Sequence, residues 1–245
     1  MNEIILTFAF FIAAVLYSSV GHAGASGYTA VMALAGIASS TLRPTALALN
    51  ILVSSIVTYR FGKVGLIKWK TLLPFIVASI PMAFIGGTID LAEEIYRHIL
   101  GVVLLFASIR LFQTANNSKL SLDFLKNISI PLSLLIGGSI GLLSGLTGTG
   151  GGIFLTPLLL FSGLAGPRTA GGLSAAFILV NSISGLLGNY SAIQNIPSTL
   201  PFYLAAVGVG GFLGSGLGTK KLGSPALKRA LGVVLVVAGL KLVFL

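Results

Sequence analysis

Gly145-Leu146-Thr147-Gly148-Thr149-Gly150-Gly151-Gly152 lies inside an otherwise apolar run. Each glycine weakens a helix by about 1 kcal/mol against alanine, so three in a row mark a break. In lipid, a break frees backbone N–H and C=O groups, which is tolerated only where protein or a watery cavity satisfies them. The helix that follows presents free N–H donors and a partial positive charge at its start, which is a ready anion site. Thr147 and Thr149 add hydroxyls. A related stretch, Gly21-His22-Ala23-Gly24-Ala25-Ser26-Gly27-Tyr28, occurs early in the chain. Two such tips approaching from opposite sides would enclose a central anion.

The composition sets the solvent. Of 245 residues, 55% are apolar and 8% charged, with mean hydropathy +1.03. A soluble domain carries about 25% charged residues, so most of the outer surface must face lipid. The 32 glycines suit close helix approach in a bilayer. The net charge of +10 is read as topology-setting basic loops and not as a nucleic-acid surface. The absence of cysteine excludes thiolate metal sites and Fe–S clusters, and two histidines are too few for a metal cage. No cofactor is implied. The apolar run from Ile4 to Leu16 has no basic residue before it and reads as a retained helix.

A spanning helix needs about 20 mostly apolar residues. Candidate segments are 3–20, 24–39, 44–61, 72–90 and 97–113, then 129–146, 151–165, 169–187, 199–218 and 227–244. The polar stretch 114–128 is the linker between a first repeat, 1–113, and a second, 129–245. The halves align in order. Gly24-Ala25-Ser26-Gly27 falls on Gly148-Thr149-Gly150-Gly151, and Thr45-Ala46 on Thr169-Ala170. Pro74-Phe75 matches Pro201-Phe202, and the run Leu100 to Leu104 recurs as Leu231 to Leu235, with Arg110 falling on Lys241.

Corresponding loops differ in charge. Segment 60–70 holds Arg60, Lys63, Lys68 and Lys70, whereas its counterpart 188–198 has no charge. Segment 90–97 holds Asp90, Glu93 and Glu94 with Arg97, whereas 219–229 holds Lys220, Lys221, Lys228 and Arg229. The positive-inside rule places 60–70 and 219–229 in the cytoplasm and the other two outside. This predicts an all-α polytopic membrane protein made of two inverted-topology repeats of about five helical segments each. The opening pair of each half is either two crossings or a re-entrant helical hairpin around the Gly-rich turn, since segments of about 16 residues are marginal for spanning.

Intramembrane polar residues are costly and tend to serve function. Asn50, Ser54 and Ser55 lie within 44–61, and Asn181, Ser182 and Ser184 within 169–187. Asn50 and Ser54 share a helix face. All five acids lie at segment ends or in loops, which argues against a carboxylate proton relay and against a charged sodium site. His22 is the deep titratable group apart from tyrosines, and it suits a proton relay, an anion contact or a structural hydrogen bond. The glycine run lacks the strand and following acid of a dinucleotide site, and lacks the Gly-Lys-Ser/Thr of a Walker loop. The candidate substrate contacts are His22, Gly24, Ser26, Gly27, Asn50, Ser54, Thr147, Gly148, Thr149, Gly150, Gly151 and Asn181. Close packing is the competing reading of the glycines, and helix–helix bonding that of the asparagines and serines.

Three features carry a family resemblance over nearly the whole chain. They are the Gly-rich turn of each half, the motifs Arg43-Pro44-Thr45-Ala46 and Pro167-Arg168-Thr169-Ala170, and the run Gly62-Lys63-Val64-Gly65-Leu66-Ile67-Lys68-Trp69 leading to Pro74, with Ser224-Pro225-Ala226-Leu227-Lys228-Arg229 in the other half. Their order resembles the TauE/SafE sulfite exporter family, or TSUP permeases. The resemblance implies a secondary transporter for small sulfur-containing anions such as sulfite, sulfonate or sulfoacetate, in the plasma (inner) membrane of a prokaryote. The first half departs from the pattern, with His22, Ser26 and Tyr28 where a fuller glycine run would stand.

The expected partners are a small anionic substrate and the lipid bilayer, not nucleic acid; a homo-oligomer is compatible with the composition. An anion channel, a transporter of another small carboxylate or oxyanion, and a scaffold subunit are the rival functions. An intramembrane enzyme is disfavoured by the lack of cysteine, of mid-membrane acids and of a Ser/His pair at helical spacing.

Overall fold

The computed structural model describes residues 3–116, 128–220 and 225–244. Most of the linker 114–128, and residues 221–224 of the basic loop 219–229, lie outside the described residues. Among these residues every regular element is a helix. In the first half they are α1 (Glu3–Ser18), α2 (Ala25–Leu34), α3 (Ser39–Lys63), α4 (Trp69–Thr88) and α5 (Glu93–Asn116). In the second they are α6 (Ile130–Thr147), α7 (Gly152–Phe161), α8 (Pro167–Gly188), a short 3-10 helix (Tyr190–Asn195), α9 (Leu200–Lys220) and α10 (Pro225–Phe244). Helices α3, α4, α6, α8 and α9 are long and apolar enough to cross a membrane. The chain is a multi-pass, all-helical membrane protein.

Two segments end earlier than the hydropathy suggests. The stretch 24–39 contains a helix of 10 residues, and so does 151–165. At 1.5 Å per residue each reaches about 15 Å, half of a hydrocarbon core of about 30 Å. Neither α2 nor α7 can cross. Each ends in a glycine-terminated cap: Gly36 has φ +75° and Gly163 φ +69°. The Ile37 amide bonds back to the Met32 carbonyl and the Ala165 amide to that of Leu159, satisfying carbonyls at the helix end. The pairs α1–α2 and α6–α7 are therefore helical hairpins with the Gly-rich turn as tip.

Helix contacts pair off when the halves are exchanged. Helix α1 packs on α9 as α6 packs on α4, and α3 packs on α9 as α8 packs on α4. Helix α2 touches α10 as α7 touches α5, while α3–α8 and α5–α10 map onto themselves. Helix α3 runs antiparallel to α8, and α5 to α10. Leu47 lies against Gly185 and Phe61 against Gly172, so the start of α3 meets the end of α8. Likewise Gly101 lies against Val243, and Phe112 against Gly232.

Glycine ladders bring two helix pairs into backbone contact. A Cβ on Gly137, Gly141 or Gly145 of α6 would come within 2.2, 2.3 or 2.1 Å of the carbonyl of Phe75, Ser79 or Ala83 on α4. A second ladder sits on α9, where Gly210, Gly214 and Gly218 face the carbonyls of Phe11 and Val15 on α1 and of Ser19 just beyond its end. Such close approach gives contact area where lipid supplies no hydrophobic push between helices.

The hairpin tips dock on the opposite half. Gly21 (φ +86°) meets the backbone of Gly171, five residues into α8, and Gly148 meets Arg43, five residues into α3. Arg43 is buried. It donates from Nε to the Gly145 carbonyl at 2.9 Å, from Nη1 to Ile89 at 2.9 Å, and from Nη2 to Gly86 and Gly87 at 2.5 and 2.7 Å. One guanidinium thus caps the C-termini of α4 and α6, where partial negative charge gathers.

Candidate functional site: the tip of the second hairpin

The turn 148–151 owes its shape to three left-handed glycines, Gly148, Gly150 and Gly151, with φ of +76°, +74° and +78°. Two outside contacts hold it: Arg43 against Gly148, and the Tyr96 hydroxyl donating to the Thr147 carbonyl at 3.0 Å. Inside the turn the hydroxyls of Thr147 and Thr149 share a hydrogen bond of 2.9 Å, and Thr147 also donates to the Leu143 carbonyl at 2.7 Å. The first amides of α7 that find a backbone acceptor are Phe154 and Leu155, both on the Gly151 carbonyl. Those of Gly152 and Ile153 have no backbone acceptor, as the first amides of a helix have none within it.

Gly150 faces a polar cluster. A Cβ placed there would stand 3.1 Å from Asn50 Nδ2 and 3.2 Å from Ser182 Oγ. Asn50 and Ser182 are both fully buried, and Asn50 Nδ2, Asn50 Oδ1 and Ser182 Oγ have no protein hydrogen-bond partner. Buried polar atoms are nearly always paired, and an unpaired one costs about 1–3 kcal/mol. Asn181 and Ser144 add further unpartnered buried atoms, Oδ1 and Oγ. Asn181 and Ser182 sit one turn beyond Phe177 and Ile178, which contact Gly151 and Gly150, so all four lie on the face of α8 turned to this hairpin. Gly151 itself faces the apolar side chains of Ile140 and Phe177.

The first tip is arranged differently. His22 Nε2 lies 3.0 Å from Thr156 Oγ1, which lies 2.6 Å from Ser174 Oγ. The His22 ring also borders Gly152, so the two hairpins meet there. Ser26 donates to the Tyr17 hydroxyl at 2.9 Å, Gly24 abuts the Tyr28 ring, and Gly27 packs on Tyr17 and Ala13. These three face their own hairpin and not Gly150. A cavity of about 50 Å³ lies beside them, bordered by Tyr17, His22, Ser26, Arg110 and Thr156.

The sequence-derived candidates thus divide. The structure brings Asn50 and Gly150 together, with Thr147, Gly148 and Thr149 forming the turn, Gly151 turned to apolar neighbours and Asn181 on the adjoining face. It places His22 at the junction of the hairpins. The Ser54 hydroxyl donates to the Asn50 carbonyl at 2.5 Å and is occupied locally. Sequence reasoning did not single out Ser182, Thr156, Ser174, Tyr96 or Arg43 as site residues. Ser182 was legible only as one of several intramembrane serines, because its meeting with Asn50 depends on the antiparallel register of α3 and α8. Among the described residues no group of His, Asp or Glu could hold a metal ion.

The comparisons with known proteins cover nearly the whole chain. The family described as "Sulfite exporter TauE/SafE" matches residues 6–242. A protein of Sinorhizobium fredii (strain NBRC 101917 / NGR234), "Probable membrane transporter protein y4hK", is 39% identical over 240 residues, covering 98% of this chain and 97% of that protein. No solved structure matches significantly. With an all-helical fold among the described residues and a family match from residue 6 to 242, the chain belongs to the sulfite exporter TauE/SafE family.

Proposed function

We propose that this chain is a secondary transporter for small anions, foremost sulfur-containing oxyanions such as sulfite, sulfonate or sulfoacetate. The observation that carries the reading is the convergence of the buried, unpartnered Asn50 amide and Ser182 hydroxyl on Gly150 at the N-terminus of α7. Free amides and the helix dipole favour an anion there, and no acidic side chain lies within the spanning helices to oppose it. The family description and the transporter relative support transport over catalysis.

The antiparallel course of α3 against α8 and of α5 against α10 supports an inverted repeat, with 1–113 and 129–245 as its halves and 114–128 as linker. The hairpins then enter from opposite faces of the plasma membrane of a prokaryote, and alternating access proceeds by movement of one half against the other. Thermal unfolding of purified protein across a panel of small anions tests the substrate class. Ligand at about 100 times its dissociation constant adds roughly 2.7 kcal/mol of stability. Saturable stabilisation by sulfite or a sulfonate is expected; a response to organic cations alone refutes the reading.

A further inference from the structure

We infer that the anion held at Gly150 carries a hydrogen-bond donor of its own: it is a singly charged, protonated oxyanion or a hydroxyl-bearing organic anion, not a bare oxyanion. This rests on the anion-transport reading above and narrows it, placing bisulfite and hydroxyl-bearing sulfonates ahead of plain sulfonates and the doubly charged sulfoacetate.

The argument begins with Asn50. The side chain is fully buried and neither end of its amide has a protein partner. Whichever way the amide is turned, it presents an NH2 end that only donates and an oxygen end that only accepts. An amide oxygen cannot donate. A sulfonate or a fully ionised oxyanion, which has only acceptors, would face that oxygen with lone pairs on both sides. A protonated oxyanion or a hydroxyl converts the same encounter into a hydrogen bond. Asn181 Oδ1 is a second buried amide oxygen without a partner on the adjoining face of α8. Donors for the anion's other oxygens are at hand: the Gly152 and Ile153 amides, Asn50 Nδ2 and the Ser182 hydroxyl.

Charge points the same way. Among the described residues, the side chains nearest Gly150 are Asn50, Ser182 and Ile178, none of them cationic. Arg43 touches the turn at Gly148, but its guanidinium is bonded to the carbonyls of Gly145, Ile89, Gly86 and Gly87. The positive potential at Gly150 comes from the helix terminus, equivalent to about half an elementary charge. Such a field suits one negative charge and leaves a second uncompensated in a buried setting.

The test uses the full-length protein, purified, with direct binding measurements. The first arm compares 2-hydroxyethanesulfonate with ethanesulfonate, two anions of equal charge that differ by the hydroxyl. The second measures sulfite affinity as pH rises through the loss of the bisulfite proton, with ethanesulfonate as a probe that does not titrate. At least tenfold tighter binding of the hydroxyl compound is expected, together with a sulfite affinity that falls with pH while that of ethanesulfonate holds. In Asn50→Ala the preference should shrink to threefold or less, with thermal unfolding confirming a folded protein. If Asn50→Ala does not fold, Ser182→Ala serves as the second variant: it retains the Asn50 oxygen, so it should bind more weakly yet keep the hydroxyl preference. Equal binding of the two sulfonates, or sulfite affinity independent of pH, overturns the inference while leaving anion transport standing. Failure of every anion to bind removes the transport reading itself.

Discussion

Asn50 on α3 and Ser182 on α8 meet at one bare α-carbon, that of Gly150, with both polar groups buried and neither satisfied by the protein. The pairing arises because α3 and α8 cross antiparallel, which sets residue 50 of one opposite residue 182 of the other.

Removal of the Ser182 hydroxyl should weaken anion binding without unfolding the protein. One neutral hydrogen bond is worth about 0.5–1.5 kcal/mol net, so Ser182→Ala should raise the dissociation constant by about threefold to tenfold. Its melting temperature should stay level or rise, since an unsatisfied buried group is lost. A fall in stability with unchanged affinity would make Ser182 a packing residue. Thr149→Val, whose hydroxyl bonds to Thr147, should instead lower stability.

Gly150→Ala should abolish binding by a different route. The new methyl would stand 2.7 Å from Ile178 Cγ2 and within 3.2 Å of both polar groups, at φ +74°. Alanine at positive φ adds about 1–2 kcal/mol of strain. Binding titrations on folded Gly150→Ala check this; wild-type affinity would remove the turn from the site.

The ladder on α6 gives a contrast within one helix. A Cβ on Gly141 would meet the Ser79 carbonyl at 2.3 Å, whereas one on Gly138 finds Met82 Cγ at 3.5 Å, ordinary contact. Gly141→Ala should lower the melting temperature in detergent by several degrees, and Gly138→Ala should leave it within a degree or two, as a shift of about 0.5 kcal/mol would.

Arg43 is expected to be indispensable to the fold. Arg43→Met leaves the carbonyls of Gly86, Gly87, Ile89 and Gly145 without their donor, at about 1–3 kcal/mol for each buried acceptor. Arg43→Lys keeps the charge but not the fork of donors, so it should recover less than half of the lost stability. Thermal unfolding of both variants measures this.

Much of this architecture is legible in the sequence, and the remainder fails for physical reasons. Hydropathy finds each of α1 to α10, because lipid-facing surface needs long apolar runs, and passes over the short 3-10 helix Tyr190–Asn195. It overshoots at α2 and α7, since Ala35 to Ala38 and Ser162 to Ala165 stay small or apolar after the helix has stopped. The end signals there are Gly36 and Gly163, which look like any other glycine in a chain holding 32 of them. Helix α3 begins five residues before the expected position 44. Its first amide is capped from outside by Glu93, which accepts from Ser39 N at 3.2 Å and from the Ser39 hydroxyl, and a cap 54 residues away leaves no local trace. In the site, Asn50 stands out as a polar residue in an apolar helix, but its neighbours Ser182 and Gly150 are fixed by the crossing of three helices. The expected approach of Ser26 and Gly27 follows from symmetry of sequence alone; Tyr17, absent from the second half, draws Ser26 to itself.

The central claim is saturable anion transport through a site at the second hairpin tip. Its most direct measurement is flux of radiolabelled sulfite into liposomes holding the purified protein, with wild type and Gly150→Ala compared across substrate concentration. The account expects wild-type flux that saturates and responds to an imposed gradient, and a Gly150→Ala rate at the level of empty liposomes. Flux that rises linearly with concentration, or that is the same in both proteins, would contradict it.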